Sequence, residues 1–139
     1  MKVKVFSQSG ARKFSYKHKK PFVIVSITDS FKVTPNFSRD NPNIIGVCRV
    51  AFDDIYQDVS GMIAFNADHA KKIIDFIDRN FDQVDCIVFH CYAGISRSAA
   101  VAKVVCDYKG IDSSFIDKAG IYQPNDYVVR VFNDYVGGK

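Results

Sequence analysis

The feature that most restricts this chain is a set of four short apolar segments, Lys2 to Phe6, Phe22 to Ile27, Ile44 to Phe52 and Cys86 to Phe89. The middle two are nearly continuous in hydrophobicity and rich in β-branched residues. Strands of that kind are buried on both faces, as in a parallel sheet covered by helices, and not alternately wet and dry as in an open antiparallel one. The segments between them carry helical periodicity. Asn66 through Phe81 sets Ala70, Ile73, Ile74, Ile77 and Phe81 at helical spacing, with Asn66 placed as the N-cap. Ser98 to Tyr108 is a second helix, stopped by Gly110, and two shorter ones are expected at Ser113 to Ala119 and Pro124 to Val136. The stretch Asp29 to Asn43, with Pro35 and Pro42, reads as a polar, turn-rich loop. Strands separated by helices predict an α/β sandwich whose sheet is mainly parallel and whose ligand site lies beyond the carboxyl ends of the strands.

With 139 residues the chain is expected to form one domain spanning 1–139. Its 47% hydrophobic and 24% charged residues are those of an ordinary globular protein and exclude a disordered or fibrous one. The net charge of +4 owes much to Arg12, Lys13, Lys17, His18, Lys19 and Lys20, a cluster read as a solvated face and not as a nucleic-acid site. No segment has the apolar length of a membrane span, and the opening MKVKVFSQSG has no apolar run of the signal-peptide type, so a cytoplasmic location is expected. Cys48, Cys86, Cys91 and Cys106 contain no CxxC pair. Reduced thiols are expected, with neither a zinc site nor a disulfide framework, and no cofactor is implied.

The chemistry concentrates in the run His90-Cys91-Tyr92-Ala93-Gly94-Ile95-Ser96-Arg97-Ser98, which leaves an apolar strand, turns through a glycine and enters a helix. Backbone N–H groups of such a loop converge on one point, and the positive end of the helix dipole adds to their field, making a cradle for a phosphate dianion. Tyr92, Ala93, Gly94, Ile95, Ser96 and Arg97 are therefore the expected phosphate-binding residues. Cys91 opens the loop, where the same field favours the nucleophilic thiolate over the thiol. Arg97 closes it, and its planar fork holds two phosphate oxygens in a way lysine does not reproduce. Ser98 is placed to donate its hydroxyl to the sulfur or to cap the helix. His90 is expected to bond loop backbone in support.

His90-Cys91, five residues, then Arg97-Ser98 resembles the active-site loop of the protein-tyrosine phosphatase superfamily, and the wording Ala93 to Ser98 is closest to its small dual-specificity-like branch. The resemblance implies a phosphatase-like three-layer sandwich with four to five strands, and hydrolysis through a phosphocysteine intermediate. It also implies a general acid on a loop upstream of the cysteine. Asp53 and Asp54 follow the strand that ends Val50-Ala51-Phe52; Asp54 is favoured over Asp53, and Asp58 comes third. The chain has no tryptophan, so the Trp-Pro-Asp acid loop of the large tyrosine-specific enzymes is absent. Asn125, opening the last helix, is expected as its cap, with reach to the phosphate loop or the positioning of a water as the alternative.

The expected substrate is a phosphorylated protein or peptide, dephosphorylated on tyrosine and, if dual-specific, on serine or threonine. Two alternatives remain open: the same chemistry on a nucleic-acid 5′-phosphate, a phosphoinositide or a small phosphoester, and a non-catalytic module that only captures phosphate. Cys86 and Cys106, flanking the loop in sequence, are candidates to trap an oxidised Cys91, or else plain buried thiols.

Overall fold

The computed structural model describes residues 1–138. Its strands are β1 (Lys2–Ser7), β2 (Phe22–Thr28), β3 (Ile44–Ala51) and β4 (Cys86–Cys91), and its helices are α1 (Gln8–Lys17), α2 (Ala67–Asn80), α3 (Arg97–Lys109), α4 (Ser114–Lys118) and α5 (Asp126–Gly137). The strands form one sheet in the order β1-β4-β2-β3, and every pairing is parallel. The described sheet thus has four strands.

Of the two near-continuous apolar runs, β2 lies inside the sheet and is covered on both faces, whereas β3 is an edge strand in which only Cys48 and Val50 are buried, against the expectation from its sequence. All seven residues of β2 and all six of β4 are buried. Val23, Val25, Ile27, Ile87 and Phe89 point to one face, into a core shared with α2, α3, α4 and α5. Phe22, Ile24, Cys86 and Val88 point to the other, against Ala11 of α1 and Phe37. Helix α3 is sandwiched between the sheet and α5, which is why nearly all its residues from Arg97 to Cys106 are buried and not only one stripe.

Helix α1 is absent from the pattern reading. It has only two buried residues, Ala11 and Ser15, too few to register as an apolar stripe. Its start is set locally: Ser7 ends β1 and caps α1, its Oγ accepting from Gly10 N at 3.1 Å. Its anchoring is aromatic, with Phe14 packed on Phe6 and Phe22 at ring separations of 5.2 and 5.3 Å. Arg12, Lys13, Lys17, Lys19 and Lys20 are exposed on this helix and the turn after it. Asn66 caps α2 as expected, accepting from Asp68 N at 2.9 Å. No helix among the described residues is long and apolar enough to cross a membrane.

Because all four strands run the same way, their carboxyl ends meet at one edge. Ser7 is level with Cys91, His90 with Ser26, and Thr28 with Ala51. Asp29, the Phe52 to Asp54 segment and Cys91 therefore emerge together.

Candidate active site

A cavity of about 400 Å³ opens at that edge, lined by Asp29, Lys32, Asp54, Tyr56, Cys91, Tyr92, Ala93, Ile95, Ser96, Arg97 and Gln123. Cys91 forms its floor, only 2% exposed, with its Sγ 3.1 Å from Ser98 Oγ. Ser98 does not cap α3: the helix begins at Arg97 with Ser96 as N-cap residue, and the Ser98 hydroxyl faces the sulfur.

The loop from Cys91 to Arg97 is held from outside. Its carbonyls at Tyr92, Ile95 and Ser96 accept from the amides of Gln8, Gln123 and Asn125 at 3.1, 2.9 and 3.1 Å. The amides of Ala93 through Ser96 donate to no backbone carbonyl among the described residues, as a loop reserving its N–H groups for an anion requires. Gly94 lines no cavity wall. It sits at φ 72°, and a Cβ there would collide with the Phe6 carbonyl and Ser7 amide of β1, so the loop's turn depends on a residue without a side chain.

His90 is fully buried behind the loop. Its Nε2 lies 2.6 Å from Ser26 Oγ and its Nδ1 3.2 Å from the Cys91 carbonyl. Burial pulls its pKa down to about 4, partly offset by the bond to that carbonyl, while the Arg49 and Arg97 charges add to the fall. A neutral imidazole donating from Nδ1 and accepting at Nε2 satisfies both contacts. His90 thus braces the strand end and does not reach the cavity.

Arg97 is positioned by a residue the sequence reading passed over. Its Nη1 donates to Asp29 Oδ1 at 2.7 Å and to the Phe52 carbonyl at 2.9 Å. Its Nε is buried without a hydrogen-bond partner. A buried unpaired donor costs on the order of 1–3 kcal/mol, and this one belongs to a residue that also lines the cavity.

The two adjacent aspartates separate cleanly. Asp53, 4% exposed, accepts at Oδ1 from Ser30 N (3.1 Å) and at Oδ2 from Ser30 Oγ (2.7 Å) and Ile63 N (2.8 Å). Burial pushes its pKa up, but the bonds from Ile63 and Ser30 and the Arg97 charge outweigh it and hold the carboxyl below its usual range. Asp53 is a loop staple fixed as an anion. Asp54 is exposed and lines the cavity, its Oδ1 accepting from Ser96 Oγ at 3.0 Å and Asn125 Nδ2 at 2.7 Å. Asp58 is exposed and not among the cavity walls.

The flanking cysteines are out of reach. Cys86 and Cys91 begin and end one strand, roughly 16 Å apart at ~3.3 Å per residue, against the ~4.4–6.8 Å between Cα atoms that a disulfide needs. Cys106 lies some two and a half helical turns along α3 from Arg97, on the order of 13 Å. Burial pushes the thiols of Cys48, Cys86 and Cys106 up to about 11 each. Of the two readings of Cys86 and Cys106, the structure supports the buried thiol and not the trap for an oxidised Cys91.

The same fold occurs in solved structures. The chain superposes on the human tyrosine phosphatase-like serine/threonine/tyrosine-interacting protein with a TM-score of 0.62 at 18% identity, over 94% of this chain and 85% of that one. It superposes on the Yvh1 phosphatase domain from Chaetomium thermophilum with a TM-score of 0.63 at 18% identity, over 98% and 90%. This is the dual-specificity phosphatase fold. PTPMT1, whose structure holds PI(5)P, shares it, with a TM-score of 0.61 at 14% identity over 99% of this chain and 91% of that one. No known family profile matches the sequence. No curated protein matches it either. Within the dual-specificity fold, the cavity described above stands at the mouth of the loop after β4.

Proposed function

We propose that the chain is a cysteine-dependent phosphatase that hydrolyses phosphate monoesters on protein tyrosine. The observation that carries this reading is that Cys91, its Sγ 3.1 Å from Ser98 Oγ, and Arg97, whose Nε is buried without a hydrogen-bond partner, line one cavity. The phosphoryl group rests on the loop amides and the Arg97 fork. Cys91 Sγ attacks phosphorus and an S–P bond forms while the P–O bond to the tyrosyl oxygen breaks. Asp54 gives its proton to that leaving oxygen. Asp54 then takes a proton from water, whose oxygen attacks phosphorus. The S–P bond breaks, and the departing thiolate accepts a hydrogen bond from Ser98 Oγ. Asp29 acts earlier, by holding Nη1 so that the rest of the guanidinium fork stays turned to the phosphate.

The test is release of phosphate by the purified chain from phosphotyrosine, phosphothreonine and phosphoinositide substrates, with a metal chelator present. Phosphotyrosine turnover that persists in chelator is expected, because the loop and Arg97 supply the positive field themselves. Turnover confined to the phosphoinositide, as the PI(5)P held by PTPMT1 would suggest, keeps the chemistry and replaces the substrate. Strict dependence on a divalent metal, or no release from any of the three, removes the reading.

A further inference from the structure

We infer that the exposed basic face of α1 is a docking track for an acidic segment of the substrate polypeptide, lying several residues away from the phosphotyrosine. This deepens the phosphatase reading and rests on it. The charges of the chain are strongly segregated. Residues 1–28 hold seven basic residues, Lys2 and Lys4 on β1 and five on α1 and the turn after it, and no acidic one. All 15 acidic residues fall in 29–139, against the other 12 of the 19 lysines and arginines, so the net +4 divides into +7 and −3. All seven cations are exposed, and among the described residues none pairs with a carboxylate, whereas Lys32, Lys71, Arg97, Lys103 and Lys109 all do. Strand and helix share one positive surface. Burial lowers the pKa of His18, and the charges of Lys2, Lys20 and Lys4 lower it further, opposed by Asp85. Asp85 lines a cavity with Lys2 and Lys20, and Asp40 another with Lys17 and Lys19; the cations outnumber them.

This surface is continuous with the catalytic mouth. Helix α1 starts beside it, where the Gln8 amide donates to the carbonyl of Tyr92, a cavity-wall residue. From there it runs back over the sheet face that carries Phe22, Ile24 and Val88, and it exposes Ser9, Arg12, Lys13, Tyr16 and Lys17 at helical spacing. At about 1.5 Å per residue, Arg12 lies roughly 6 Å and Lys17 roughly 13 Å along the axis from Gln8. An extended polypeptide covers that span with roughly two to four residues, besides those it needs to leave the cavity. Asp29 and Asp54 stand on the cavity wall and oppose acidic residues next to the phosphotyrosine, while those about three to eight positions away reach the lysines. A flat anionic membrane does not fit, because α1 lies on a face of the sheet and the cavity opens at its edge, so a surface resting on α1 does not face Cys91. A single-stranded nucleic acid bends round that edge as a peptide does, but its sites combine cations with a series of aromatic stacking platforms, and α1 exposes only Tyr16.

The experiment measures binding by fluorescence anisotropy on the Cys91→Ser chain, which does not consume the ligand, and phosphate release on the wild type. Three labelled phosphotyrosine peptides are compared. One carries glutamates about three to eight positions after the phosphotyrosine, one carries them the same distance before it, and one has glutamine at all of these positions. At low ionic strength at least one glutamate peptide is expected to bind about tenfold more tightly than the glutamine peptide, the gap falling to about twofold in roughly 0.5 M salt. The triple substitution Lys13→Gln, Lys17→Gln, Lys20→Gln, at exposed positions outside the site, removes the gap and leaves affinity for the glutamine peptide and its turnover within about twofold. Equal affinity for all three peptides at low salt, or a gap that survives the triple substitution, overturns the inference. So does a single-stranded oligonucleotide with a 5′-phosphate and comparable charge that binds more tightly than either glutamate peptide and loses that affinity in the triple variant, which gives the face to nucleic acid. No phosphate released by the wild type from any of the three peptides removes the phosphatase reading itself, an outcome distinct from an active chain indifferent to the glutamates.

Discussion

Cys91→Ser is expected to lower phosphotyrosine turnover by about a thousandfold or more, since loss of a covalent nucleophile removes the whole two-step route and not one contact within it. The substitution tests chemistry and little else. Serine is slightly smaller than cysteine, and in this 2%-exposed position its hydroxyl still has Ser98 Oγ as a partner, so no orphaned polar atom is left behind. A serine hydroxyl, however, is far less acidic than a thiol, and His90, the nearest base in sequence, is spent on Ser26 and the Cys91 carbonyl. The variant should unfold at close to the wild-type temperature and still bind phosphate through Arg97 and the loop amides. Retention of more than about a tenth of the wild-type rate would count against Cys91 as the nucleophile.

The second large effect belongs to Asp54. Replacing it by asparagine is expected to slow phosphotyrosine hydrolysis by about a hundredfold or more, the ordinary worth of a well-placed general acid. Asparagine keeps a carbonyl oxygen where Oδ1 accepts from Ser96 and Asn125, so the segment stays in place and only the transferable proton is lost. An aryl phosphate with an acidic phenol should be turned over nearly as before. The matched change at the neighbouring position separates the two carboxylates: Asp53→Asn breaks bonds to Ser30 and Ile63 and should show first as lowered thermal stability, with a similar proportional change on both substrates. A leaving-group-dependent loss in Asp53→Asn with Asp54→Asn normal would exchange the two roles.

What was legible in the sequence were features whose cause is local. The strands announce themselves because β2 and β4 are buried on both faces, and such burial leaves uninterrupted runs of Val, Ile and Phe. Cys91 and Arg97 are legible because one short loop must hold both. Asn66 and Gly110 punctuate their helices at the expected places. What escaped depends on the chain folding back. Helix α1 touches the sheet through Ala11 and a few aromatic edges, so its ten residues look like a basic linker. Asp29 pairs with Arg97 across 68 residues, and Asn125 with Asp54 across 71; nothing within either neighbourhood distinguishes these side chains from a loop carboxylate or a helix cap. The choice between Asp53 and Asp54 was open for a related reason. Strand alternation ends at Ala51, and only the bonds from Ser30 and Ile63 decide which carboxylate turns inward.

The most direct test of the proposed chemistry is to catch the S–P bond. The chain is mixed with a phosphotyrosine peptide in excess, quenched with acid within milliseconds, digested and examined by mass spectrometry. A peptide containing Cys91 and heavier by one phosphoryl group, absent from Cys91→Ser and lost when turnover is allowed to run to completion, is the predicted result. Phosphate released at full rate with no phosphoryl adduct on Cys91 at any quench time, or an adduct on another residue, would contradict it.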